Sequence, residues 1–170
     1  RQTCWFTTFE SDEDVWISGF EAFQPSGGHH IIAFRSLEDV ADGTVIDCTD
    51  GSAMALWMPL LLAQDVTGLE LPEGYGIKIP AKAKLVFQSH YVNTSSEPIK
   101  TRDYVNNNYA PEQDNIIGAA PFANSVLDLT VAPNADTTLK YRCTAERDMN
   151  VFSVLGHMHE HGTAYTLKVG

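Results

Sequence analysis

Positive charge is scarce in this sequence. Eleven lysines and arginines stand against 22 aspartates and glutamates in 170 residues, a formal net charge of -11. A phosphate backbone would be repelled by such a surface, which argues against a nucleic-acid partner. The acidic residues are dispersed, so they read as a solvated surface rather than a binding tract. Long apolar runs are also missing: the longest, "ALWMPLLLA" at 55–63, contains Pro59 and is far short of the ~20 residues a membrane helix needs. Cysteine is limited to Cys4, Cys48 and Cys143, with no C-x-x-C spacing. That excludes a zinc ribbon and a thioredoxin-type pair. At most one internal disulfide can form, and the redox compartment leans towards oxidising. There is no Ser-His-Asp pattern, phosphate-binding glycine loop or nucleotide fingerprint. The chain opens at Arg1 without a basic n-region or signal-type h-region, so a removed leader or a longer parent protein is expected.

What is present is strand signal. "CWFTTF", "VWISGFEAF", "HHIIAF", "KLVFQSHYV", "SVLDLTV", "TLKYRCT", "VFSVLGHMH" and "AYTLKV" are short and rich in β-branched and aromatic residues. Turn-forming clusters such as "QPSGG", "LPEGYG" and "VNTSSEP" separate them. Helical periodicity is nearly absent; "GSAMALWMPLLLAQ" is the best candidate, and Pro59 argues against a long helix there. The expected class is all-β, an antiparallel β-sandwich or jelly roll, with one N-terminal sandwich plus part of a second. The polar stretch "YVNNNYAPEQDN" at 104–115 suggests a linker. The expected division is a domain at 1–105, a linker at 106–117 and an incomplete second domain at 118–170. The second part is small for an independent sandwich, so it is expected to pack on the first part or on another chain.

All six histidines fall in three short motifs: His29-His30, His90, and His157/His159/His161. Each motif lies on or beside an expected strand. Imidazole is the commonest protein ligand for copper, zinc and iron. On a strand, residues two apart share a face at about 6.7 Å, so His157 and His159 can converge on one ion. His161 would lie about 13 Å from His157 on a straight strand and joins them only if the chain turns, which Gly162 permits. His29 and His30 normally face opposite sides. Both reach one ion only at a strand end or a bulge, and the preceding "PSGG" supplies the backbone freedom. Two all-imidazole groups favour copper or zinc, with the lean towards copper. A cupin reading of "HMHEH" fits poorly, because only eleven residues follow His159. Histidines merely decorating a β-sandwich form the structural alternative.

Four stretches, in order, carry a family resemblance: "GGHHIIAF", "LELPEGYGIKIPAKAKLVFQSHYVN", "LDLTVAPNADTTLKYRCTAERDMN" and "VFSVLGHMHEHG". Together they resemble the copper type II, ascorbate-dependent monooxygenases. The resemblance implies two β-sandwich domains and two coppers. His29, His30 and His90 would form a three-histidine site that passes electrons. His157 and His159 would supply two ligands of a second copper, where O2 binds and a substrate C–H bond is hydroxylated. It further implies ascorbate or another reductant, a small-molecule or peptide substrate, no membrane span, and a secreted, periplasmic or extracellular location. The family's methionine ligand and the expected partner of Cys143 have no counterpart here, so a missing segment or another chain is expected to complete the second domain. The alternative is a non-catalytic copper-binding or electron-transfer subunit of a larger assembly. One sequon, Asn93-Thr94-Ser95, bears on glycosylation in a secreting host.

Overall fold

The computed structural model describes residues 1–64, 67–110, 115–122, 130–158 and 161–170. The chain divides into two compact units, Arg1–Asn124 and Ser125–Gly170.

The first unit is an all-β sandwich. Its strands are β1 (Gln2–Thr8), β2 (Val15–Phe23), β3 (Gly28–Ser36), β4 (Val45–Asp47), β5 (Trp57–Gln64), β6 (Thr67–Glu70), β7 (Tyr75–Ile79), β8 (Lys84–Tyr91), β9 (Tyr104–Tyr109) and β10 (Ile117–Gly118). One sheet runs β4-β1-β8-β3-β5, with every pairing antiparallel. The other runs β10-β7-β2-β6, with β9 on the free edge of β2 and a parallel β10–β7 pair.

The first sheet is covered on both faces, which explains why β3 reads as an almost continuous apolar run. Ile31, Ala33, Leu61 and Ala63 meet Phe20 and Ala22 of the second sheet, and Leu85 meets Ile17 and Ile79 beside them. On the opposite face, Cys4, Phe6, Phe34 and Val86 pack with Cys48 and Trp57. Trp57 stacks edge-on to Phe6, with centroids 5.6 Å apart, and tilts against Phe34 at 5.5 Å. Each such aromatic side chain contributes about 1.5–3 kcal/mol on burial. A Cys4–Cys48 disulfide closes this outer layer onto β1. Along β2 the buried phase changes from Ile17 to Phe20 and Ala22. A register shift between Ile17 and Gly19 is the cause, because one extra residue in a strand flips every later side chain.

Several stretches depart from the sequence expectation. The best helical candidate becomes a single 3-10 turn, Ser52–Leu56, followed by β5. Pro59 is accommodated because β5 is an edge strand and the β3–β5 register shifts beside it. The expected linker at 106–117 is instead largely part of the first unit: residues 106–109 lie in β9, Ile117 begins β10, and 111–114 fall outside the described residues. Asn106 and Asn108 face solvent while Val105 and Asn107 turn inward, so a half-buried strand is hidden in polar composition. In the second unit, the described residues of 138–144, 151–159 and 164–169 form no strand, although their alternation predicts one. The expected strand at 125–131 lies mostly outside the described residues. No helix among the described residues is long and apolar enough to cross a membrane.

Candidate metal centre

The site grows from the register of two neighbouring strands. β3 and β8 pair so that His30 stands directly opposite His90. Directly paired residues share a face, so both imidazoles project from the outer face of the first sheet, beyond Val86 and Gln88. The register shifts between Gly28 and His30, leaving His29 as the extra residue of a β-bulge. The bulge frees His29 from strict alternation and lets adjacent histidines join one group. Upstream, Gly27 adopts φ 88, a conformation that favours glycine. At Gly28 a Cβ would lie 2.5 Å from Gln24 Cβ, so no side chain fits without moving the turn.

The three rings form a triangle. Centroids are 5.1 Å apart for His29–His30, 5.0 Å for His29–His90 and 4.8 Å for His30–His90. His30 is buried, and its Nε2 lies 3.0 Å from His90 Nδ1. One proton can bridge two ring nitrogens at that separation. Three imidazoles gathered in this way are a donor set suited to a divalent transition metal, and His29, His30 and His90 are the residues that would hold it.

The surroundings are polar and were not evident from sequence. Gln2 pairs with His90, and Gln64 pairs with His30. One row deeper, buried Gln88 donates through Nε2 to Gln2 Oε1 at 3.3 Å and to Met54 Sδ at 3.4 Å. The i and i+2 spacing in "QSH" puts Gln88 on the histidine face, but Gln2 and Gln64 are found only through register. On the other face of β8, the Ser89 and Tyr91 hydroxyls both donate to Asp103, and the Gln24 amide does so at 3.5 Å. Burial, reinforced by the Asp103 carboxylate, pushes the Tyr91 hydroxyl up to about 12. This clamp secures the residues on either side of His90 to the chain that precedes β9.

The other histidines belong to the second unit. His157 and His161 are exposed and lie on chain without strand structure, while His159 lies outside the described residues. Glycine is required on both sides of the motif: a Cβ at Gly156 would meet Tyr165 Cγ at 2.5 Å, and one at Gly162 would meet Met158 Cβ at 2.4 Å. Cys143 is likewise exposed in this unit. Neither protein-family models nor curated protein sequences give a match to the chain.

Proposed function

We propose that this chain is a copper-dependent oxidoreductase of the monooxygenase kind, in which His29, His30 and His90 hold an electron-transferring copper. The observation that supports this reading is the gathering of three imidazoles at one end of the β3–β8 ladder. An all-imidazole donor set suits copper or zinc, and the one-electron chemistry proposed here calls for copper. When bound, copper supplies one-electron redox chemistry at this site and O2 activation at a second one. The chain's own part is to gather three imidazoles at the end of the β3–β8 ladder, with β8 pinned on its far face by the Asp103 clamp. His157 and His159 are proposed as ligands of the second copper, where a small-molecule or peptide substrate would be hydroxylated at the expense of ascorbate or a similar reductant. The Cys4–Cys48 disulfide supports a secreted, periplasmic or extracellular setting.

The second reading is a copper-binding electron-transfer subunit. It is favoured by the contrast between a three-histidine group built on a paired ladder and an H-x-H motif whose described residues have none. Copper titration with oxygen-electrode measurements separates the two. About two copper ions per chain with ascorbate-dependent O2 uptake supports the monooxygenase. Bound copper without turnover sinks it and leaves electron transfer.

A further inference from the structure

The few cations of this chain are not all spent on ion pairs. Among the described residues, Arg1, Lys78, Lys82 and Lys84 each face an aspartate. Lys100 and Arg102 form no such pair. Together with Pro25, Thr101 and Tyr104 they line an open hollow of about 610 Å³ on the first unit. The adjacent carboxylate, Asp103, is turned the other way by the Ser89 and Tyr91 hydroxyls. Neighbours in extended chain alternate sides, so holding Asp103 inward sends Arg102 and Tyr104 outward. Tyr104 is fixed by the β9–β2 ladder opposite Phe23, and Arg102 Nη1 donates to its hydroxyl at 3.5 Å. The guanidinium thus lies beside the Tyr104 hydroxyl. Pro25 and the Tyr104 ring add two stiff apolar walls.

We infer that this hollow binds a small organic anion with a flat ring. A guanidinium fork matches the paired oxygens of a carboxylate or an enediolate, and Lys100 adds a second charge. Pro25 and Tyr104 cover the ring. Lys100 and Arg102 line the same hollow and offset locally the net charge of -11 that opposes anions. The site uses none of the histidines, so it stands or falls independently of the copper reading.

Anaerobic calorimetric titration of the full chain without added metal, at about 0.15 M salt, tests it with two probes, ascorbate and benzoate. One site per chain is expected. Arg102→Gln should weaken binding by about tenfold or more, Arg102→Lys should weaken it less, and Lys100→Ala/Arg102→Gln should abolish it. His30→Ala should leave it unchanged. Both side chains are exposed, so these variants keep the fold. Binding of benzoate alone assigns the hollow to a carboxylate, and binding of ascorbate alone assigns it to an enediolate. Failure of both probes, or equal affinity in Arg102→Gln, overturns the inference. Loss of copper binding in His30→Ala with anion binding intact concerns only the metal centre.

Discussion

The two histidine-rich regions differ in what holds them. His30 and His90 are register partners on two of the three inner strands of a five-stranded sheet, and His29 enters through a bulge in the same ladder. His157 sits on exposed chain in a unit whose described residues form no ladder. Both motifs carry enough imidazole for an ion, yet only the first inherits its geometry from backbone hydrogen bonds. Spacing alone proposes a site, whereas pairing builds one. The first group should therefore bind metal as a preorganised centre and the second only with further ordering, which costs free energy at the moment of binding.

That contrast can be broken or sharpened in four ways. Removing the disulfide with Cys4→Ala/Cys48→Ala opens a loop with a sequence separation of 44. It should cost about 4 kcal/mol, read as a lower urea midpoint, whereas Cys143→Ala in the second unit should cost little. Next, copper at a hundredfold excess over Kd should stabilise the wild type by about 2.7 kcal/mol. His30→Ala or His90→Ala should erase that gain in thermal scans while His157→Ala/His159→Ala retains most of it. The reverse ranking would invert the comparison. Gly28→Ala forces the turn before the bulge to move and should cost about 1–2 kcal/mol; it should also weaken the first copper although no ligand is touched. The smallest effect belongs to the far end of β8. There the Asp42 carboxyl is held below its ordinary 3.8, chiefly by hydrogen bonds from Lys84 and then Thr8. Its folded value is depressed, so its stabilisation is present above that ordinary value and is lost as pH falls through the lowered one. Asp42→Asn should flatten this acid-side loss in melting profiles between about pH 2 and 5 without changing metal affinity.

The sequence made the first region legible because alternation and turn chemistry act locally. The strands around "VWISGFEAF" and "KLVFQSHYV" follow from period two, and two adjacent histidines behind "PSGG" call for a strand end or a bulge, between which the β3–β8 register decides. Pairing partners are not local. Nothing in "RQTCW" says that Gln2 will face His90, and no composition rule finds β9 in "YVNNNY", where the ladder to β2 does the ordering. Trp57–Gln64 was ambiguous for another reason: short apolar runs do not separate strand from helix, and the neighbouring β3 decides. In the second unit the alternation of "TLKYRCT" and "AYTLKV" is plain. Alternation states which face a strand would bury, but it supplies no hydrogen-bonding neighbour, and a strand needs both.

The pairing of His30 with His90 also has a kinetic side. The two rings lie 60 residues apart in sequence, so they meet only after a long loop has closed, an entropic toll collected before any contact returns it. Sheets dominated by such distant contacts belong to the slow end of the folding spectrum. An ion held by the folded pair would bind the unfolded chain less tightly, and that difference in binding energy would count as folding energy. On the copper reading, metal uptake by the first unit would be a clock for the completion of its central sheet: the full site would form only with the β3–β8 zipper, and a burst of tight binding would date the moment that zipper closes.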